Sequence, residues 1–573
     1  MASSTSNTVW YGRFLLFIAG MGGLLYGIDV GIIAAALLYL GKTISLTVEE
    51  TSFIVAAVLG GSMFSSLVGG ILADWFGRKK MMIVSGLMFV ASVGLIVISQ
   101  AFLPLFLGRL LQGMSGGVIA VVVPLYLAEC LSAKNRGQGT AIFQFMLTFG
   151  IVVAALVGLF YTQRAESAIA AAAGNAELIR AAQNHAWRGM FLSVIYPGMI
   201  FFLGGFVVSE SPRWLFRRGK KEQALAALRK SCSEEEAQVE MREMETVVHH
   251  EKDQTTSKHG SDSLLQRKYV IPFVIACVIL ACNQATGINS ILGFLVVILK
   301  QAGMSASLAT RGDVAVKVLN CVMTLVAVAL VDKKGRKFLL KIGTGGIVIA
   351  LAAGALLFLG FESKRVDVKE KVQAAVSGGG LTLPVNEATL GPAIGGRPMA
   401  LTVFYSYGGG DNVDTVLSND PEPVLKIAPD PKSPNTPPVI KRAMYGPVPT
   451  EGTGWLVTAC LCVFIASFSV GPGVVVWLAL SELMPTRIRS TGMGIALLLN
   501  QGVATGIAAV FLPTVGNYGY SAMFFFWAAC TVIYFITAAF FLPETKGKTL
   551  EEIEEYFEGA GNKSSPTLQR KSA

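Results

Sequence analysis

Charge is scarce in this chain: Asp, Glu, Lys and Arg make up only 15% of its 573 residues, against 53% hydrophobic side chains and a mean hydropathy of +0.58. A soluble globular protein carries about a quarter charged residues, so a water-soluble fold is excluded and the chain reads as a membrane protein. Histidine is scarcer still, at positions 185, 249, 250 and 259, and none of these falls in an apolar run. No Cys-His cluster has metal-ligand spacing. Of eight Cys, seven (130, 277, 282, 321, 460, 462, 530) lie in or beside apolar runs and Cys232 lies in a charged loop, so no disulfide framework is implied. No cofactor is implied either. The net charge of +10 suggests a nucleic-acid partner until the Lys and Arg are located. They sit in short loops between apolar runs, which points to a lipid bilayer and away from nucleic acid.

Apolar runs long enough to span a bilayer fall at about 12–40, 53–73, 81–101, 104–128, 139–161, 189–209, 270–299, 312–332, 338–361, 452–481, 490–513 and 519–542. The expectation is an all-α membrane protein of twelve transmembrane helices. The first run is longer than the apolar part of a signal peptide and has no small-residue cleavage site, so it is expected to remain as the first span. Basic residues fill alternate loops: Arg78-Lys79-Lys80, Lys134 with Arg136, Arg213 to Lys221, Lys333 to Lys337, Arg487 with Arg489, and Lys546 with Lys548. Both termini are therefore expected in the cytoplasm, with the protein multi-pass in the plasma membrane, or the cell inner membrane of a bacterium.

The two halves repeat each other. Gly70 to Lys80, holding Asp74-Trp75-Phe76-Gly77-Arg78, follows the second span, and Leu330 to Lys337, holding Asp332-Lys333-Lys334-Gly335-Arg336, follows the eighth. Glu129 and Arg136 stand seven apart after the fourth span, as do Glu482 and Arg489 after the tenth. A solvated turn explains one Asp-x-x-Gly-Arg; matched copies with matched Glu and Arg partners point to a duplicated six-helix unit. The expected layout is a six-helix half over 1–209, a cytoplasmic helical linker over 210–268, a second six-helix half over 269–545 and a cytoplasmic tail over 546–573. The second half is interrupted over 362–450 by an outer-side insertion of about ninety residues. Leu401 to Tyr407 is β-prone and Pro421 to Pro438 is rich in turns, so a small, partly ordered cap with some strand pairing is expected. A tolerated surface insertion and a role in gating or partner binding are both open for it.

The polar stretch Asn283-Gln284-Ala285-Thr286-Gly287-Ile288-Asn289 lies deep in the seventh span. Carboxamides at that depth need partners, and Thr286-Gly287 disfavours continuous helix. A broken helix in a membrane is tolerated where it lines a cavity, so a polar binding site near the midplane is read there. Amides that merely join helices are the alternative.

These motifs together resemble the sugar porters of the major facilitator superfamily, over nearly the whole chain except the insertion. The resemblance rests on Gly70 to Lys80, on Arg109 with Pro124 to Glu129, and on Glu210-Ser211-Pro212-Arg213-Trp214-Leu215. It rests also on Gln284 to Asn289, Asp332 to Lys337, Gly471-Pro472 with Trp477 and Glu482, and Pro543-Glu544-Thr545-Lys546-Gly547. It implies a membrane transporter rather than an enzyme, with a monosaccharide (hexose or pentose) as substrate and no obligate protein partner. The sugar ligands it implies are Gln144, Asn283, Gln284, Asn289, Asn320, Trp477 and Asn500. Carboxamides pair sugar hydroxyls as donor and acceptor at once, and an indole covers the apolar C–H face. Asn283, Gly293-Phe294, Gln501 and Ser209 depart from the usual family residues, and the first three suggest a wider or more polar pocket.

Asp29 is expected to be the only carboxylate deep inside a span, at a depth similar to that of Arg109. If protons move through the chain, Asp29 carries them by elimination. Proton-linked bacterial sugar symporters of the xylose-carrier type have this Asp. The resemblance thus implies sugar:proton symport by alternating access, with Asp29 and Arg109 as the coupling pair and the proton as second partner. A structural ion pair is the alternative, with a facilitative uniporter as the second reading. A non-transporting sensor is the third, although such sensors tend to carry long tails and only about twenty-five residues follow Lys548. Asp74, Arg78, Glu129, Arg136, Glu210, Asp332, Arg336, Glu482 and Arg489 resemble the family's inner charge network and are expected to lock the halves together while the site faces out.

Overall fold

The structure is a computed structural model describing residues 2–573 apart from 132, 232, 255–266, 378, 393–395, 409, 420–422, 430–435, 477–482, 484–488, 545–556 and 558–573. The first half is built from α1 (Ala2–Thr43), α2 (Val48–Phe76), α3 (Arg78–Ile98), α4 (Phe102–Cys130), α5 (Ala133–Ala171), α6 (Ala176–Ser193) and α7 (Ile195–Val207). Three short helices follow, α8 (Pro212–Arg217), α9 (Lys221–Ser231) and α10 (Glu234–Gln254). The second half is built from α11 (Arg267–Ala285), α12 (Ile288–Gln301), α13 (Ala306–Lys334) and α14 (Arg336–Glu362), and, beyond the insertion, α17 (Glu451–Phe468) and α18 (Arg489–Ile536). Among the described residues, eleven helical stretches are long and apolar enough to cross a bilayer. Phe160, Ile349, Leu356 and Phe540 stand on their outer faces, exposed. In water such a surface drives aggregation, whereas in hydrocarbon it is the ordinary state.

Local chemistry sets where these helices begin. At α2 the Thr47 hydroxyl accepts from the Glu50 N–H at 3.1 Å and the Glu50 carboxylate accepts from the Thr47 N–H at 2.8 Å, a reciprocal capping box. A second device appears three times. Gly77 (φ 99°, ψ 155°), Gly335 (φ 91°, ψ 157°) and Gly519 (φ 88°, ψ 167°) each adopt backbone open essentially to glycine alone. Each aims the next two N–H groups at a distant glutamate. Glu210 accepts from Arg78 and Lys79 at 2.9 and 3.0 Å, Glu544 from Arg336 and Lys337 at 3.0 and 3.1 Å, and Glu362 from Tyr520 and Ser521 at 2.7 and 3.2 Å. A carboxylate there satisfies orphan donors and faces the positive end of the helix. The first two copies occupy matching positions in the halves.

The third copy bears on the last apolar stretch, Gly492–Phe541, which is 50 residues long. At about 1.5 Å per residue it is more than twice as long as a bilayer core of about 30 Å is thick. The non-helical Gly519 divides it into two arms, each long enough to cross.

The described residues between α14 and α17 form strands and short helices. It holds β1 (Val366–Asp367), α15 (Lys369–Ala374), β2 (Val376–Ser377), β3 (Gly380–Pro384), α16 (Glu387–Leu390), β4 (Met399–Ser406), β5 (Asp411–Leu417), β6 (Val424–Ile427) and β7 (Val439–Pro447). The strands form antiparallel sheets in the orders β1-β7-β4-β5 and β2-β3-β6. Met399, Leu401 and Val403 alternate inward on β4 and join Val372, Leu383, Leu425, Ile440 and Ala443 in a core of their own. The expected strand pairing is present, and the β-prone piece from Leu401 lies in β4. The insertion also touches both halves: the Asp411 N–H donates to Glu49 at 3.0 Å, and Arg442 donates to the carbonyls of Gly516 and Asn517 at 2.7 and 2.9 Å.

Two outcomes follow from this architecture. Gly335→Ala puts a Cβ 2.8 Å from Glu544 Oε2 at a φ that alanine avoids, which costs about 1–3 kcal/mol. Its thermal unfolding in detergent should start measurably lower, while Gly360→Ala, whose Cβ meets nothing within 4 Å inside α14, does not lower it. Because the insertion has its own core, replacing 363–449 with a short Gly/Ser linker should leave a membrane part that elutes as a single species in size-exclusion chromatography. Aggregation of that variant shows that the bundle depends on the insertion to fold.

Candidate polar site at a broken helix

The helix breaks where Thr286-Gly287 predicts it, between α11 and α12. Gly287 takes left-handed backbone (φ 83°, ψ 12°), and its missing side chain makes room for the fully buried Trp527 ring. Trp527 stacks on Phe511, with centroids 5.7 Å apart and planes 4° apart, and Phe511 stacks on Phe294 of α12 at 4.5 Å. An aromatic column therefore supports the break from behind. Ahead of it three carboxamides meet. Asn289 Nδ2 donates to Gln284 Oε1 at 2.7 Å, Gln284 Nε2 donates to Asn500 Oδ1 at 3.1 Å, and Asn500 Nδ2 donates to the Leu280 carbonyl at 2.9 Å. Each amide offers two N–H groups and two lone-pair sites on oxygen. The relay uses one N–H of each, which leaves donors and acceptors side by side for a polyhydroxylated ligand. The buried Asn283 Oδ1 and Trp527 Nε1 have no hydrogen-bond partner.

Asn320 stands on α13 with its Oδ1 accepting from Ser469 at 2.8 Å. Ser469 opens a π-helical turn, Ser469–Gly473, that continues α17 and contains Pro472. Gln144 is exposed on α5 one turn before Thr148, whose hydroxyl lies 3.6 Å from the Cys321 sulfur next to Asn320. Residues four apart share a helix face, so Gln144 lies on the face of α5 turned to α13. Trp477 lies outside the described residues. The structure thus joins Gln284, Asn289 and Asn500 directly, with Asn320 and Gln144 on neighbouring helices.

Asp29 and Arg109 meet at 3.1 Å, at 0% and 1% exposure. Arg109 also donates to Gln112 Oε1 at 2.7 Å and lies over the Phe191 ring, 5.5 Å from its centroid. The pair connects α1 to α4 within the first half, and Asp29 Oδ2 has no partner.

Asp29 is not the only deeply buried carboxylate, which corrects the elimination argument. Asp313 is 1% exposed and Lys317 is 0% exposed, one turn apart on α13 and 2.8 Å from each other. The sequence reading placed Asp313 at the edge of its span, but α13 starts at Ala306, two turns earlier. The Asp-x-x-x-Lys spacing inside an apolar run was the available signal, because it puts opposite charges on one helix face. Gln112, Ser469 and Trp527 were also passed over; only their neighbours in space mark them out.

Four members of the expected inner network pair inside the first half. Arg78 meets Glu129 at 2.8 Å and Asp74 at 2.7 Å, the Ser211 hydroxyl donates to Glu129, and Glu210 caps α3. The backbone N–H of Arg336 goes to Glu544 within the second half. Glu482 and the side chains of Arg136, Asp332 and Arg489 lie outside the described residues.

The sequence profile of the family described as "Sugar (and other) transporter" matches residues 15–384 and 440–557, breaking only inside the insertion. The chain belongs to this family of sugar transporters. Its members are membrane transporters of the major facilitator fold, not enzymes. Similar proteins include the "Probable metabolite transport protein CsbC" of Bacillus subtilis, 26% identical across 94% of this chain and 93% of that one. The "Glucose transporter GlcP" of Staphylococcus epidermidis is 26% identical across 95% of this chain and 96% of that one. Among solved structures, the inward open xylose transporter XylE from E. coli matches with a TM-score of 0.65 at 22% identity, over 94% of this chain and 98% of XylE.

Gln284 is the hub of the amide relay. Gln284→Ala strips Asn289 and Asn500 of their partner and leaves a bound hydroxyl unpaired, which costs about 1–3 kcal/mol. Sugar affinity of the purified variant should fall about ten- to hundred-fold with unchanged yield. Unaltered affinity in isothermal titration removes the α11–α12 break from the binding site.

Proposed function

We propose that this transporter is a sugar:proton symporter that imports a monosaccharide by alternating access. The observation that carries the sugar reading is the relay of Gln284, Asn289 and Asn500 at a broken helix, which presents paired donors and acceptors at membrane depth. Asn283, Asn320, Gln144 and Trp477 complete the proposed substrate set. A glucose transporter and a D-xylose transporter among its relatives support a hexose or pentose as substrate. We take the two arms around Gly519 as separate crossings, giving twelve in two halves of six, with the insertion at 362–450 outside. Both termini lie in the cytoplasm on this reading, by the distribution of Lys and Arg, and the membrane is the plasma membrane or the bacterial cell inner membrane.

Symport rests on Asp29 and Arg109. A buried carboxylate whose second oxygen is unpartnered is costly as an anion, and its guanidinium partner offsets that cost only while the two are together. Rocking of the halves that loosens the pair raises the proton affinity of Asp29; closing the pair releases the proton. A facilitative uniporter is the second reading, favoured by the closed geometry of the pair, which a purely structural bridge shares.

Asp29→Asn separates the two readings. It retains the shape and a hydrogen bond to Arg109 and removes the titratable proton. In proteoliposomes the variant should bind sugar and exchange it by counterflow, yet fail to concentrate it under an inward proton gradient. Continued accumulation by the variant rules out Asp29 as the coupling group. A wild-type protein that never accumulates sugar is a uniporter with a structural Asp29–Arg109 pair.

A further inference from the structure

Lys317 is a charged side chain in the seam between the halves, and the family site above does not use it. Its ammonium is fully buried on α13, donates to Asp313 Oδ2 at 2.8 Å and crosses to α1, where it donates to the Gly31 carbonyl at 3.0 Å. Asp313 Oδ1 is left without a hydrogen-bond partner. An apolar side chain of similar length would fill the space without the desolvation cost of two ions, so the pair points to a role beyond packing.

The two bonds of Lys317 behave differently under motion of the halves. Asp313 travels with Lys317 because both stand on α13, one turn apart. Gly31 belongs to the other half, two residues after Asp29. Parting of α1 and α13 on the side of the molecule that carries the insertion therefore breaks the Gly31 bond and leaves the Asp313 bond intact. The same seam is shut nearby by apolar and neutral contacts: Val55 of α2 lies against Gly293 of α12, and the Leu512 N–H donates to the Ser52 hydroxyl at 3.2 Å. A charged donor is worth more than these and loses more when its acceptor leaves.

We propose that Lys317, held in place by Asp313, is a positioning residue of the transport cycle that latches the second half onto the α1 backbone at Gly31 and keeps the insertion side of the seam closed. The bond goes to a backbone carbonyl, so no side chain of α1 tunes it. The latch responds to where α1 lies, and α1 also carries Asp29. The α1 helix thus stands between two buried ion pairs, one fixed within its own half and one reaching it from the other. The inference rests on alternating access and not on proton coupling, and its test uses no gradient.

The test follows opening of the seam directly. Val55→Cys places a thiol at a 5% exposed position on the seam, and its alkylation by a membrane-impermeant maleimide is read by peptide mass spectrometry in the full-length protein in proteoliposomes. Adding Lys317→Met, which retains the length and removes the donor, should raise the labelling rate about tenfold or more. Lys317→Arg restores a charged donor and should return the rate toward that of Val55→Cys alone. Sugar affinity should stay within about threefold, because the amide relay is untouched. If Lys317→Met fails to fold, Lys317→Gln, shorter and uncharged, takes its place with the same expected direction. A variant that melts earlier but labels at the parent rate makes the pair a structural bridge and overturns the latch. A parent protein that never labels, with or without sugar, refutes rocking of the halves and the latch with it.

Discussion

Gly287 has no space for a side chain, and most of the polar interior depends on that. Its left-handed backbone ends α11, and the Trp527 ring fills the volume that a Cβ would need. With the helix interrupted there, α12 starts one residue later and its first turn brings Asn289 back beside Gln284. In a continuous helix, side chains five apart diverge by roughly 140° around the axis, so this pairing exists because of the break. Asn500 then reaches Gln284 from α18 and closes the relay onto the Leu280 carbonyl. One residue without a side chain thus converts a hydrophobic span into a hydrogen-bonding surface. The aromatic column of Trp527, Phe511 and Phe294 supplies the rigidity that an interrupted helix lacks.

Much of this was legible in the chain because bilayer physics narrows the choices. Apolar runs gave the membrane-crossing helices, eleven stretches of which are long and apolar enough among the described residues, and the duplicated Asp-x-x-Gly-Arg marked the like turns at Gly77 and Gly335. The helix break followed from three amides beside a glycine. What escaped has physical reasons. Composition alone separates Asp29 from charges at span ends, but the start of α13 at Ala306 was hidden by the polar run before it, so Asp313 passed for a terminal residue. The gap between the runs 490–513 and 519–542 anticipated the non-helical Gly519, but its remote partner Glu362 leaves no local pattern. Strands of two to five residues, such as Val366–Asp367 and Gly380–Pro384, are too short for alternation to show, whereas the eight residues of β4 could be read.

The glutamate-capped glycines show how the chain stays rigid where it must turn between spans. A tight reversal exposes the first N–H groups of the next helix, and at a membrane face those donors need an acceptor. Glu210, Glu544 and Glu362 each come from a distant helix end, so each capping contact also fixes the packing of two non-adjacent spans. Two of the three occupy equivalent places in the halves, as a duplicated unit should show. These contacts stay within a half, and the described Arg78, Glu129 and Asp74 pairs do the same. The ionic groups near that face accordingly stiffen the first half as a body, a precondition for its moving as one.

The seam between the bodies obeys a different chemistry. Polar contacts described across it stand singly, among them a threonine hydroxyl near a cysteine sulfur, a backbone N–H on a serine and, strongest of these, the Lys317 ammonium on the Gly31 carbonyl. None is a multiply bonded network of the kind formed by Arg78, Glu129, Asp74 and Ser211. A redundant ionic network inside the first half and isolated bonds between the halves concentrate compliance at the seam. The amide relay draws on α11, α12 and α18, all within the second half, so its geometry does not depend on the seam. Substrate contacts made by Gln144 on α5, in the first half, would instead change as the halves move. A binding surface that is mostly rigid but completed from across a compliant seam has the asymmetry needed for occupancy of the site to bias which side of the seam is shut.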